Sequence, residues 1–421
     1  MQQYKPKYSI IIPTRNGGKY LPTCVDTIIS QKYTDYELII SDDHSIDGSK
    51  EYLETLSSHP NIIVIEPEKS LSMTEHWEWA LSHARGEWLI FVGQDDGLQP
   101  YFFRLADRLT EIAYKSNLRT IMSERAYYFW KDCGFFYGDI AVRYHAKKAV
   151  KIHNCQFETM KALLLLQSYL NLPEMYTTSL FHRDIVNEAK QKQEGRMFVT
   201  HPQDANLAAI ACSLEKQYLM SYIPLGWVGS SRKSAGLAVS HNESSLDATK
   251  RKEDLDSLKK EYVDKINKSN LKYNFLAGDF NLGNGSIYFW QALLQTQNLR
   301  SSLENRILTS KFFKVILFCR VLTKISRSEN SDLRLPMFME ILRRNECRFE
   351  MINLFSKITS LVADSILLLG ASIRKILRMC PNNINYIVKW SDDANINMCR
   401  ASNQVNTLVT QKKWLKEPKK P

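Results

Sequence analysis

No pair among the eight cysteines, Cys24, Cys133, Cys155, Cys212, Cys319, Cys347, Cys380 and Cys399, has the Cys-x-x-Cys spacing of a zinc or redox site. A reducing compartment is therefore expected. Long apolar runs are missing as well: the most apolar late segment, Ile358 to Ile373, contains Asp364 and falls short of the roughly 20 apolar residues that a spanning helix needs. The start is polar from Met1 to Lys7 and passes straight into Tyr8 to Ile12, without the apolar stretch of a signal peptide. These absences predict a cytoplasmic protein with no transmembrane helix. No Gly-x-Gly-x-x-Gly follows the first apolar segment, which argues against a dinucleotide-dependent oxidoreductase. Internal repeats and long low-complexity tracts are absent too. What remains, 421 residues at 44% hydrophobic and 24% charged, is ordinary globular composition with room for two or three domains.

The formal charge of +11 is unevenly placed. Residues 1–250 carry 27 Lys+Arg against 29 Asp+Glu, and residues 251–421 carry 29 against 16. An anionic surface would therefore be met by the C-terminal part. Two segments there, Lys311 to Arg320 and Ile358 to Arg378, set Lys or Arg beside a Leu/Ile/Phe face, a composition suited to the headgroup layer of an anionic membrane. The bland alternative is that these faces pack on the rest of the chain or on a second subunit. No feature points to nucleic acid.

The most informative stretch runs from Gly86 to Gly97. Trp88 to Val92 reads as a strand buried on both faces of a mostly parallel sheet. Two adjacent acids, Asp95 and Asp96, follow it, then a glycine. In an open α/β sheet ligands bind beyond the carboxyl ends of strands, and hard oxygen ligands suit Mg²⁺ or Mn²⁺, ions that commonly bridge to phosphates. One Asp-Asp-Gly is more often a plain turn. The second strand, Tyr36 to Ile40, also ends in paired acids, Asp42 and Asp43, and two such pairs at one sheet edge could form a single acidic cleft.

Strands and helices alternate along the first half. Tyr8 to Ile12, broken by Pro13-Thr14-Arg15-Asn16-Gly17-Gly18, is followed by Leu21, Val25, Ile28 and Ile29 at helical spacing. A helix near Asp47 to Leu56, a strand Asn61 to Ile65 and a helix Met73 to Ala84 come next, then the central strand and a helix from Pro100 to Tyr114. This order predicts a parallel sheet with right-handed crossovers and helices on both faces. Beyond it lie the aromatic cluster Tyr127-Tyr128-Phe129-Trp130, suited to stacking on an acceptor sugar but expected instead to fill a core, and a helix Phe157 to Tyr169. A strand Thr177 to Phe181 and a helix Ala205 to Leu214 follow, the latter with Asp204 at its start, where the bland reading is a cap. Gly226 to Gly236 reads as a glycine- and serine-rich loop whose Arg232 and Lys233 could close on phosphates or merely be solvated. A linker over Asn242 to Asp256 separates a 1–240 unit from a basic, mainly helical 241–421 region.

In order, these features resemble the inverting family 2 glycosyltransferases with a GT-A fold. The resemblance is carried by Pro13-Thr14-Arg15-Asn16, by Asp42-Asp43-His44-Ser45-Ile46-Asp47-Gly48, and by Gly86-Glu87-Trp88 leading into Gln94-Asp95-Asp96. It implies that Pro13, Thr14, Arg15, Asn16, Asp42 and Asp43 hold the nucleotide, with Asp43 recognising the base. It also implies that Asp95 meets the ribose, that Asp96 binds a Mn²⁺ or Mg²⁺ on the diphosphate, and that Asp204 is the general base. Two departures stand out: the acid that commonly precedes that base is Gln203 here, and an Asn- and Gly-rich stretch of many members is replaced by Leu71 to Trp77.

The implied reaction moves a sugar from a nucleotide-diphospho-sugar, UDP-linked in most members, to a hydroxyl of a glycan or lipid-linked glycan. Its setting would be surface polysaccharide synthesis at the cytoplasmic membrane face. Rival readings are nucleotidyl transfer, which also uses acids and a metal at a sheet end, and a non-catalytic sugar-nucleotide-binding relative.

Overall fold

The computed structural model describes residues 5–133, 139–145, 149–200, 202–231, 233–234, 285–328, 331–357, 383–389 and 397–410. Arg232, the expected linker at 242–256 and the segment 358–378 lie outside them.

The first half alternates as its pattern dictates. β1 (Tyr8–Thr14), α1 (Tyr20–Ile29), β2 (Tyr36–Asp42), α2 (Ser49–Glu54), β3 (Ile62–Ile65), α3 (Met73–Ser82) and β4 (Trp88–Phe91) lead to a short β5 (Gly97–Leu98) and α4 (Phe102–Lys115). β3, β2, β1 and β4 pair in parallel in that order, with Ile10 beside both Leu38 and Ile90. The apolar residues of β1, β2 and β4 are buried on both faces, which is why these strands read as continuous runs instead of alternating ones, whereas the edge strand β3 is half-buried with Val64 exposed. α3 starts on a capping box, Ser72 with Glu75.

β6 (Thr120–Ser123), β7 (Ala126–Phe129), β8 (Asp139–His145), β9 (Val150–Asn154), α5 (Cys155–Leu163), β10 (Ser179–His182), α6 (Arg183–Lys192), α7 (Gln203–Leu214), β11 (Gln217–Ser221) and β12 (Gly226–Ser230) follow. β10 runs antiparallel between β4 and β6, and β11 and β9 complete a mixed sheet of eight strands. A second sheet, β13 (Asn383–Lys389)-β8-β7-β12-β5, stands against the site. The expected α/β architecture, with a large central sheet flanked by helices and a mainly helical C-terminal region, is what the chain adopts.

Two details differ from the sequence pattern. The helix expected to reach Tyr169 stops at Leu163, where Leu165 takes a positive φ of 56° and turns the chain. Residues 226–230, expected as loop, are strand β12, because Trp227 is fully buried and the backbone pairs with both β7 and β5.

Among the described residues the C-terminal helices are α8 (Gly285–Gln295), α9 (Ser302–Thr309), α10 (Lys311–Ser326), α11 (Ser331–Arg344) and α12 (Met398–Thr410). α8 and α10 build a second core with α5 and α7, in which Trp290 packs edge-on to Phe318, and Phe318 on Phe338 of α11. α12 joins the first core instead: Met398, Ala401, Val405 and Val409 pack with residues of β1, α1, β4 and α4. Among the described residues no helix is long and apolar enough to cross a membrane.

Candidate active site

The carboxyl ends of β1, β2 and β4 converge. Asp43 N donates to the Thr14 carbonyl at 2.9 Å, and Thr14 Oγ1 donates to Gln94 Oε1 at 2.6 Å, so the three strand ends are tied side by side. Arg15 N also reaches Gln94, at 3.2 Å. The Arg15 guanidinium donates to Asp43 Oδ2 at 3.2 Å and to Ser70 Oγ at 3.1 Å, and the other Asp43 oxygen accepts from Leu71 N at 2.9 Å. Asp43 is thus a buried, oriented carboxylate beside an exposed cation.

Asp42 faces the opposite way along β2 and takes both Ser45 N, at 3.3 Å, and Ser45 Oγ. Ser45 Oγ in turn accepts from Asn16 N at 2.7 Å, and Asn16 Oδ1 accepts from Ile46 N at 2.9 Å. Asn16 and His44 both hold left-handed backbone, φ 54° and 56°, which bends the two loops towards each other. Asp42 and Asn16 therefore shape the rim, whereas Arg15 and Asp43 supply its charge.

After β4, Asp96 N closes a turn on the Gly93 carbonyl at 3.0 Å. A turn is present, but it spans Gly93 to Asp96, and the glycine of Asp-Asp-Gly, Gly97, opens β5. Both acids nonetheless point into protein: Asp96, 1% exposed, accepts from Gly93 N at 3.0 Å, Gly229 N at 2.6 Å and the Thr177 hydroxyl. Asp95 accepts from Ser231 N at 3.2 Å, Ser231 Oγ at 2.8 Å and the Ser234 hydroxyl. β12 lies so close here that a Cβ on Gly229 would stand 1.8 Å from the Asp95 carbonyl oxygen. Among the described residues neither acid has an ion-pair partner. Burial, then the Asp95 charge, pushes Asp96 up to about 6, and burial raises Asp95.

Lys233, expected on phosphates, bridges the mouth: its ammonium donates to Asp47 Oδ2 at 3.0 Å and to the Asn16 carbonyl. The aromatic cluster divides. Tyr128 is core and Trp130 Nε1 donates to the Asp95 carbonyl at 2.8 Å, while Tyr127 and Phe129 stack on each other on the opposite face.

Asp204 stands at the first turn of α7, whose N-cap is Pro202. Asp204 is not the cap. Its carboxylate accepts from Tyr169 Oη at 3.0 Å and from Ala205 N at 2.7 Å, and burial raises its pKa. Beside it a buried ion pair joins Arg125 to Glu174, with Arg125 Nε also donating to the Leu170 carbonyl at 3.0 Å. Glu174 feels the charges of both Asp204 and Asp96.

Sequence reasoning missed Gln94, Thr177, Arg125, Tyr169 and Glu174. Only Gln94, adjacent to the acid pair, carried a signal; the others arrive through strand pairing. Among the described residues no group of three or more His, Cys, Asp or Glu is arranged to hold a metal ion by itself.

Residues 9–156 match the family model for Glycosyl transferase family 2. Over these residues the chain resembles a family 2 glycosyltransferase domain. It is 32% identical over 111 residues to a PGL/p-HBAD biosynthesis glycosyltransferase of Mycobacterium tuberculosis, covering 26% of this chain and 41% of that protein. It is 28% identical over 99 residues to a putative teichuronic acid biosynthesis glycosyltransferase, TuaG, of Bacillus subtilis, covering 23% and 38%. The aligned part thus spans about two-fifths of each of these curated relatives. The crystal structure of Staphylococcus aureus TarS 1-349 in complex with UDP-GlcNAc superposes over 85% of this chain and 92% of that one, with a TM-score of 0.45 and 13% identity.

Proposed function

We propose that the protein transfers a sugar from a nucleotide-diphospho-sugar to a hydroxyl of a glycan or lipid-linked glycan, with inversion at the anomeric carbon. The observation that carries this reading is the convergence of the β1, β2 and β4 ends, Arg15 and Asp43 on one side and Asp95 and Asp96 on the other, within the segment that matches the family. In this reading Pro13, Thr14, Arg15, Asn16, Asp42 and Asp43 form the nucleotide side. Asp95 meets the ribose, and Lys233, with Arg232 next to it, lies at the diphosphate. A relative named for teichuronic acid biosynthesis supports an acceptor of the cell-surface glycan class.

Two adjacent carboxylates, Asp96 buried and Asp95 half-buried, with no ion-pair partner among the described residues, suit a divalent cation. Asp96, with Asp95 beside it, would hold Mn²⁺ or Mg²⁺. When bound, the ion stabilises charge on the departing diphosphate. The chain's own residues do the rest. Asp204, its ionisation made harder by burial, takes the proton of the acceptor hydroxyl. The acceptor oxygen bonds to the anomeric carbon as the bond to the diphosphate oxygen breaks on the opposite face, and the nucleoside diphosphate leaves. Tyr169 Oη holds one Asp204 oxygen and Ala205 N the other, and each oxygen keeps a second lone pair with which to meet the acceptor hydroxyl.

A calorimetric panel of sugar nucleotides with and without Mn²⁺, followed by assay of nucleoside diphosphate release, tests this. Binding with release of nucleoside diphosphate is expected. Release of inorganic diphosphate from nucleoside triphosphates would make the protein a nucleotidyltransferase, and binding without turnover on any acceptor a non-catalytic relative.

A further inference from the structure

We propose that the groove between α5, α9 and α10 is the surface by which the protein lies on an anionic membrane. A cavity of about 580 Å³ opens there, with Met160, Leu303, Ile307, Phe312 and Ile316 in its wall together with Arg306. Phe312 is 78% exposed, Leu303 66% and Phe157 64%. The apolar face of α10 is already committed elsewhere, since Phe313, Leu317, Phe318, Val321 and Leu322 are buried in the second core. Phe312 is surplus to that packing. Gln156 of α5 donates to Glu304 of α9 at 3.2 Å, which holds the two outer walls together.

The rim decides the occupant. Across the three helices stand six Lys+Arg against two acids, Glu158 and Glu304; Lys161 is paired with Glu158 and Arg320 donates to the Leu164 carbonyl at 3.2 Å, so Arg306, Lys311, Lys314 and Lys324 carry the excess positive charge. Both acids are engaged: Glu158 is buried on Lys161 and His153, and Glu304 caps α9. Lys161 Nζ also lies 5.5 Å from the Phe157 ring centroid, leaving its charge beside an apolar projection. A second copy of this chain on a two-fold axis would bring the same cations face to face, which like-charge contact disfavours. A bilayer with anionic headgroups offers hydrocarbon to Phe312 and Leu303 and negative charge to Arg306 and Lys311, and so complements both halves of the patch. A lipid-linked acceptor gives this surface a use, the one step borrowed from the proposed reaction.

The test uses the full chain in vesicle sedimentation, with phosphatidylcholine alone and with added phosphatidylglycerol, alongside calorimetric donor binding on the same samples. Wild type is expected to sediment with the anionic vesicles only and to be released by raised salt. Leu303→Glu with Phe312→Asp should weaken partition at least ~10-fold, and Arg306→Glu about five-fold or more, both with donor binding unchanged. Phe312→Ser, a milder change at the same exposed position, guards against misfolding and should shift partition in the same direction. Unchanged partition in the folded variants, equal binding to neutral vesicles, or a light-scattering dimer that Phe312→Ser dissociates and that ignores vesicles would each overturn the assignment. Loss of vesicle binding with donor binding intact touches only this surface, and the reverse touches only the reaction.

Discussion

Asp204 and Asp96 are separated by chemistry as well as by place. Asp204 is held by one hydroxyl and one amide, the posture of a group that can still receive a proton, whereas Asp96 is enclosed by Gly93, Thr177 and Gly229. Asp204→Asn keeps the shape and removes the base, so donor affinity should hold while turnover falls on the order of 10²- to 10⁴-fold. Parallel loss of affinity and rate in steady-state kinetics would make Asp204 a binding residue. Asp96→Ala should abolish Mn²⁺-dependent transfer while circular dichroism stays native; retained turnover with Mn²⁺ would remove it from the cation site. Glu174 is a stability group: burial, with Asp204 and Asp96 facing it, raises it from 4.5 to about 8 despite the pull of Arg125. A carboxyl raised in the folded state contributes stability that is complete below its unfolded value and is lost as pH rises through the folded one. The Tm advantage of wild type over Glu174→Gln should therefore shrink from about pH 5 to pH 8 in scanning calorimetry. Parallel Tm curves would show that Glu174 does not titrate there.

Within a single element, position decides energy. Phe318 and Phe312 both lie on α10, the first fully buried between Trp290 and Phe338 and the second facing solvent. Phe318→Ala should cost about 3–5 kcal/mol of unfolding free energy, and Phe312→Ala less than about 0.5 kcal/mol; equal midpoints in urea would contradict this packing. β12 has a comparable constraint at Gly229, where a methyl group would collide with the Asp95 backbone. Gly229→Ala should lose about 1–3 kcal/mol and also weaken donor binding, because relief requires the Asp95 turn to move. Elements such as β1, β2, β4 and α4 were legible because periodicity and local residues determine them. The acid pairs were legible because they sit at strand ends. β12 was not, since its Gly and Ser residues read as loop and only pairing with β7 and β5 makes it a strand. Arg125, Tyr169 and Glu174 were invisible for the same reason, as no local pattern reports a partner 35 to 50 positions away.

At the scale of the molecule, the basic C-terminal part does two different jobs. α8, α10 and α11 form their own core against α5 and α7, while α12 returns to the first core and places Met398 against Gly97, with Trp227 Nε1 donating to Ser402 at 2.7 Å. Removing residues from 397 onward should expose this apolar wall beside Asp95 and Asp96, lowering Tm and donor affinity together. A truncated chain with native Tm and native calorimetric affinity would show α12 to be dispensable. The position of α12 also sets a timetable for synthesis. Domains generally fold from the N-terminus as the chain leaves the ribosome, but here the wall behind the acid pair waits for a segment that begins only at residue 398. The nascent chain carries its nucleotide-side loops long before their backing exists. Competence to hold a donor should then arrive only once α12 has left the ribosome, and stalled ribosomes bearing chains cut before residue 397 should capture no labelled sugar nucleotide, whereas released chains that include α12 do.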